Sequence, residues 1–335
     1  MHKPSTTLRG KYSNGVYTRR MESTRKVDLV GVGLNATDTV LTLPTFPVFG
    51  SKVEYHDSVV LPGGQVASTV VACQNWGLST RYVGKLGDDQ AADLHHRAFA
   101  DAGVETRIVT VPDAHSPQSL ILVDPSGERT VLVRRDDRLT LKPEELHREW
   151  ITDARALHVD GQDTAAATQA AQWAREANIP VVADLDLQFP GIDDLLINID
   201  YLIVSRAFPS RLMNEPDLET ALQKMQRRYG NTLAAATLGP DGVLAFDGKR
   251  FCYRPAYRVH AVDTTGAGDI FHAGFIYGML QGWALTRQLD FACAAAARNC
   301  TAVGARGAID SRDAIESLIT ADERYPSLSF DSVTA

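Results

Sequence analysis

From residue 27 onward the chain alternates short β-branched or apolar runs with helical stretches, and no other feature narrows its possible folds as far. Val27 to Gly33 is followed by a helix-forming run from Gln65 to Trp76, then by Arg81 to Gly84 and a helical stretch from Asp88 to Ala102. The beat returns as Ala156 to Asp160, Thr164 to Asn178, Pro180 to Asp184, Tyr201 to Ser205, Leu218 to Tyr229 and Leu233 to Leu238. Strands joined through helices run parallel in one sheet, with the helices covering its faces. Tyr201-Leu-Ile-Val204 is apolar without a break, as a strand buried on both faces should be. The pattern predicts an α/β fold with a mostly parallel central sheet flanked by helices.

Two segments break the beat, Thr39 to Val60 and Ser119 to Val133. In the second, Leu120-Ile-Leu-Val123 and Thr130-Val-Leu-Val133 flank Asp124-Pro-Ser-Gly127, a reversal in which Pro and Gly supply the turn. The expectation is a small β-sheet over about 36–62 and 115–136, projecting from the main sheet as a lid. Its open strand edges invite pairing with a second copy, so a homodimer through the lid is expected.

Composition excludes several functions. The 335 residues carry 34 basic and 41 acidic side chains, a net charge of −7, so the basic excess that marks nucleic-acid binders is missing. No run approaches the roughly 18 apolar residues of a membrane span, and no apolar signal core is present. The four cysteines show no metal-binding spacing and are expected as reduced thiols of a cytoplasmic protein. His95 and His96 are adjacent and would point to different helix faces; His56, His158 and His272 are expected in structural roles. Residues 1–26 set seven basic side chains against one acid, Glu22, and read as a disordered tail. A targeting segment or an alternative start at Met21 fits the same composition.

Gly31-Val-Gly-Leu-Asn-Ala36 has the spacing of a dinucleotide fingerprint, but β-branched sequence follows where a helix is required. Gly242 to Lys249 lacks the spacing of a phosphate-binding P-loop. Asp263-Thr-Thr-Gly-Ala-Gly-Asp269 is a better phosphate device. The apolar run from Ile270 to Leu280 behind it should be a buried helix, with Thr265 as its cap and Gly266, Ala267 and Gly268 as its first turn. Two glycines there weaken the helix by roughly 1 kcal/mol each, yet they let its free N–H groups approach an anion. Asp269, kept ionised by the helix end, could take a proton from a hydroxyl attacking that phosphate. The bland alternative is that Asp269 does no more than offset the helix dipole.

Asp263 to Asp269 resembles the second signature of the ribokinase-like (PfkB-type) carbohydrate kinases. Gly63-Gly64, followed by a helix and Tyr82-Val-Gly-Lys-Leu-Gly-Asp-Asp89, resembles the first, and Thr237-Leu-Gly-Pro-Asp-Gly242 the nucleotide-binding strand and turn. His158-Val-Asp-Gly161, Gly127-Glu-Arg-Thr130 and the Cys293 to Cys300 helix are similar to the ketohexokinase-like branch.

The resemblance covers Val27 to about Leu318 and implies a three-layer fold of about nine strands, a kinase domain over 27–322 and a tail over 323–335. It implies Asp269 as catalytic base and Gly266, Ala267 and Gly268 as anion hole. For the sugar it implies Asp38, Gly63, Gly64, Gln65, Ser68, Asp160 and the lid residue Arg129; for ATP, Ser205, Thr237, Gly239 and Gly242. The family's Asn-x-x-Glu magnesium element reads Ser205-Arg-Ala-Phe208 here, so direct carry-over of that role fails and the water ligands of Mg²⁺ would come from Asp184 or Asp269; a monovalent cation such as K⁺ is a further expectation. The implied activity is transfer of the γ-phosphate of ATP to a primary hydroxyl of a furanose or ketose, fructose-like first. A nucleoside or sugar-phosphate kinase, and a catalytically silent sugar-binding or assembly protein, are the alternatives. A sugar phosphate would require Arg129, Arg134 or Arg135 to converge near Asp38.

Overall fold

A computed structural model describes residues 26–124 and 129–330. Apart from Lys26, the segment expected as an amino-terminal tail lies outside the described residues, as do residues 125–128 at the tip of the lid hairpin. In chain order the strands are β1 (Val27–Val32), β2 (Ala36–Thr42), β3 (Asp57–Gly63), β4 (Thr80–Leu86), β5 (Glu105–Thr110), β6 (Gln118–Val123), β7 (Arg129–Arg134), β8 (Ala154–Asp160), β9 (Val181–Leu185), β10 (Tyr201–Ser205), β11 (Leu233–Thr237), β12 (Val243–Phe246) and β13 (Phe251–Arg254). The helices are α1 (Gln65–Asn75), α2 (Gln90–Ala102), α3 (Arg148–Thr152), α4 (Thr164–Glu176), α5 (Ile192–Leu196), α6 (Phe208–Met213), α7 (Leu218–Tyr229), α8 (Ala267–Leu280), α9 (Leu285–Asn299) and α10 (Arg312–Ala321).

Nine strands form the main sheet in the order β13-β12-β11-β10-β9-β8-β1-β4-β5. All neighbours are parallel except the β11-β12-β13 edge. The two-residue period of a strand sends alternate side chains to opposite faces. Leu202 and Val204 of β10 therefore join the core beneath α4, α5 and α7. Ile203 between them joins the core of α1, α8, α9 and α10. These are the three layers that the alternation predicts. After β1 the chain enters β2, not a helix, which disposes of the dinucleotide fingerprint at Gly31.

The second sheet has four strands in the order β3-β2-β6-β7. Its β6-β7 pair is the expected hairpin, in register from Gln118 opposite Arg134 to Val123 opposite Arg129. Strand β2 departs from the end of β1 and β3 leads into α1, so the lid is anchored where the sheet opens.

Residues 323–330 are docked, unlike the tail expected there. Arg324 bridges to Asp290 at 2.7 Å and lies over the Tyr257 ring at 3.9 Å, while Phe330 packs on Tyr253.

Helix α8 is buried from Ile270 to Gly278, and its closest neighbour is α9. A Cβ on Gly274 would stand 2.7 Å from Ala292 Cα. Gly274→Val should therefore push these helices apart and cost about 1–3 kcal/mol by overpacking. Thermal unfolding followed by circular dichroism should show a lowered midpoint; an unchanged midpoint would mean the contact is looser than described.

Candidate active site

The carboxyl ends of the parallel strands and the inner face of the lid enclose a cavity of about 520 Å³. Asp38 and Ser119 reach it from the lid, Asp184 and Ser205 from the sheet, and Gly266, Ala267, Gly268 and Asp269 from the start of α8. A second, more apolar cavity of about 490 Å³ lies between α8, α9 and the Thr237 to Gly242 turn. Arg129, Thr237, Thr264, Ala267 and Gly268 line both. The α8 turn is thus the junction between two ligand-sized spaces.

The turn is tied down from behind. Asp263 accepts from Thr265 N–H at 2.8 Å and from Gly304 N–H at 2.8 Å. Asn299 Nδ2 donates to the carbonyls of Thr265 and Ala305. The cap of α8 is Gly266 in the left-handed region, φ 74°, and not Thr265, whose hydroxyl is buried without a partner. A Cβ on Gly266 would also collide with the Ala305 backbone, 2.2 Å from its oxygen. Glycine is therefore demanded structurally at 266. Gly268 differs: its backbone is ordinary helix and a Cβ would meet nothing within 4 Å. Neither strain nor packing asks for glycine there, and the open side is the cavity.

Asp269 opens onto the cavity in the first turn of α8. Burial and the Asp184 carboxylate push its pKa upward, which corrects the expectation that the helix end keeps it readily ionised. Desolvation outweighs the dipole because the surrounding protein removes water that would stabilise the charge. Asp184 is raised too, by burial and Asp186, and accepts from the Gln65 side chain. His272, one turn below Asp269, places Nδ1 2.8 Å from Gly268 O and 3.4 Å from Asp184 Oδ2. Asp38 is 5% exposed, and burial pushes it up to about 6. Gly63 makes room for it: a Cβ there would lie 2.0 Å from Asp38 Oδ2. Gly64, at φ 94°, begins α1 against the Asn35–Ala36 backbone. Among the described residues no group of three or more His, Cys, Asp or Glu is placed to hold a metal ion.

Of the residues singled out in the sequence, Asp38, Gly64, Gln65, Arg129, Asp184, Ser205, Thr237 and the α8 turn with Asp269 line the larger cavity. Gly239 and Gly242 line the second with Thr237, whereas Ser205, carried as an ATP contact, is on the first. Three residues are not on the wall: Gly63, whose missing Cβ leaves room for the Asp38 carboxylate, Asp160 and Ser68. Asp160 is buried with its oxygens taken by the N–H groups of Leu34 at 2.7 Å and Gln162 at 3.0 Å, so it shapes the turn after β1. Ser68 is fully buried and accepts from Arg306 Nε at 3.3 Å. Arg129 crosses from the lid to donate to the Thr264 hydroxyl. Arg135 joins it in lining the cavity that holds Asp38, and Arg134 does not.

Three contributors escaped sequence reasoning. His272 read as structural because only the α8 turn brings it beside Asp184. Tyr325, in the expected tail, lines the second cavity. Arg306 lies in a loop without a motif, and its one sequence signal was a basic residue among small ones in Gly304-Ala-Arg-Gly-Ala308.

The model of the pfkB family carbohydrate kinases matches residues 27–312. An ATP-dependent ribose-1-phosphate kinase from Halopiger xanaduensis is 29% identical over 295 residues, 86% of this chain and 96% of its own. A 5-dehydro-2-deoxygluconokinase from Geobacillus thermodenitrificans is 25% identical over 77% of this chain and 83% of its own. The solved ribokinase of Thermotoga maritima shares the fold, with a TM-score of 0.77 and 24% identity over 88% of this chain and 99% of that one.

The contrast between the two glycines of the turn gives a paired expectation. Gly268→Ala should raise the unfolding midpoint, because alanine gains up to about 1 kcal/mol in a helix, and should weaken binding of a phosphate-bearing ligand measured by calorimetry. A variant that binds as the parent does would remove Gly268 from the site.

Proposed function

Because the chain belongs to the pfkB family of carbohydrate kinases, we propose that it transfers the γ-phosphate of ATP to a primary hydroxyl of a furanose or ketose sugar, at the junction of its two cavities. The observation that carries this reading is Gly268, a glycine where neither backbone strain nor packing requires one and whose open side faces the cavities. The sugar lies in the larger cavity with Asp38 accepting its hydroxyl hydrogens. The nucleotide lies along Thr237, Gly239 and Gly242, with its terminal phosphate on the N–H groups of Gly266 to Gly268. Asp269 takes the hydroxyl proton as the oxygen attacks. A raised pKa suits a base that must both bind a proton and lose it near neutrality. Arg129, at the same junction, faces the charge that develops on the transferred group.

Mg²⁺ fits the donor chemistry: burial and the Asp184 carboxylate raise Asp269, and burial and Asp186 raise Asp184, a crowding of carboxylates that a cation relieves. When bound it would neutralise phosphate charge during transfer, with Asp184 holding its water. A place for a monovalent cation such as K⁺ rests on the family resemblance alone.

Fructose-like ketoses are the first sugars to test. A sugar bearing an anionic group is the second reading, favoured by Arg129 and Arg135 on the wall with Asp38 and by the ribose-1-phosphate and dehydrodeoxygluconate named for the relatives. A silent binding protein would have no reason to keep both Asp269 and the open Gly268. An ADP-release assay over ketoses, pentoses, nucleosides, sugar phosphates and sugar acids should find one class turned over. Its kcat/KM should rise with pH along a limb above the ordinary carboxylate range, because the base works deprotonated. Asp269→Asn should lose about 10²- to 10⁴-fold in turnover while still binding ATP. No turnover with any class, or an Asp269→Asn variant within a few-fold of the parent, would defeat the proposal.

The lid also supports assembly as a homodimer. Val48, Phe49, Val60 and Leu132 expose large apolar surface on it, and β3 and β7 are open edges. Light scattering at micromolar concentration should give twice the chain mass; a monomer would count against the pairing.

A further inference from the structure

Arg306 is a buried cation that no step above uses. It follows α9, in the loop that Asp263 and Asn299 bind to the α8 turn. The residue keeps part of its surface, but the guanidinium is enclosed. Nη2 donates to Gly63 O at 3.0 Å, Nε to Ser68 Oγ at 3.3 Å, and the group lies 5.7 Å from the centre of the Phe99 ring. Nη1 is buried with no hydrogen-bond partner. Burial holds the group below its ordinary range, at about 10, so it stays charged near neutrality.

A buried guanidinium with an open donor is costly unless opposite charge lies near. The carboxylates acting on it are those of Asp269 and Asp38. Its hydrogen-bond partners explain how it reaches both. Gly63 is the residue against which the Asp38 carboxylate rests. Ser68 adjoins Thr69, whose hydroxyl donates to the backbone carbonyl of Asp269 at 2.9 Å.

We propose that Arg306 is a positioning residue for phosphoryl transfer: from behind the cavity wall its guanidinium supplies the counter-charge for Asp38 and Asp269, and its bonds to Gly63 and Ser68 hold the start of α1 between them. Because it is off the wall, it touches no substrate and acts only through those two carboxylates. The inference rests on the reading of Asp38 as sugar contact and Asp269 as base, but its charge coupling is measurable without turnover.

The test uses Arg306→Gln, which can keep the bond to Gly63 O without the charge, and Arg306→Lys, which keeps the charge. Arg306→Gln should lose about tenfold in kcat/KM for the sugar, the size expected when a charge acts through another group, and Arg306→Lys should recover most of it. KM for ATP should move less than KM for the sugar. In thermal unfolding, Asp38→Asn should raise the midpoint in the Arg306→Gln background by more than in the parent, since the neutral amide removes an uncompensated charge. Should Arg306→Gln not fold, rescue of folding by Asp38→Asn in the double variant carries the same meaning. Additive midpoints, or Gln and Lys variants equally impaired, would make Arg306 a loop tether and overturn the proposal. Coupled midpoints without turnover on any sugar would leave the charge network standing and the kinase reading at fault.

Discussion

The site depends on gathering carboxylates where water is scarce. Asp38, Asp184 and Asp269 share one cavity wall, with Asp160 just behind it, and burial raises the pKa of all four. Such a cluster is unfavourable on its own, since each charge loses solvation and repels the next. The fold compensates in several ways. Backbone N–H groups satisfy Asp160, Gln65 bonds Asp184, Asp269 sits at the positive end of the α8 dipole, and Arg306 lies behind Asp38 and Asp269. Two of these supports come from loops tied together by Asp263 and Asn299. That tie holds the turn in place between the two cavities.

The α8 turn shows how stability and chemistry divide neighbouring residues of one motif. Gly266 is required by its left-handed backbone and by the Ala305 carbonyl pressed against it. Gly268 is required by neither, and alanine there would strengthen the helix. A motif read as a string gives both glycines the same meaning. The space around each separates the residue that builds the turn from the one that leaves it open to the cavities.

Much of the fold was legible because its signals are local. Alternating strand and helix runs specify a parallel sheet, and Pro and Gly between two apolar runs specify the lid hairpin. Placement on the cavity wall was legible where a motif carries it, as at Asp269, Gly268 and Thr237. It was not where meaning comes from three-dimensional neighbours. Asp160 ends a strand at the right edge, but adjacent backbone amides take both its oxygens. Ser68 has the expected place on α1, yet it faces Arg306 and not the cavity. The raised pKa of Asp269 follows from Asp184, some 85 residues away in sequence, which no local rule connects to it. The segment after Glu323 looked like a tail because its anchors, Asp290 and Tyr257, belong to other elements.

The central claim is that the α8 turn holds the transferred phosphate between a nucleotide cavity and a sugar cavity, with Asp269 beside the attacking hydroxyl. A crystal structure with a non-hydrolysable ATP analogue and the accepted sugar tests it most directly. The terminal phosphate should lie about 3 Å from the N–H groups of Gly266 to Gly268, with a sugar hydroxyl at similar distance from the Asp269 carboxylate. A terminal phosphate held elsewhere, or a hydroxyl facing Asp184 with Asp269 turned away, would contradict the account.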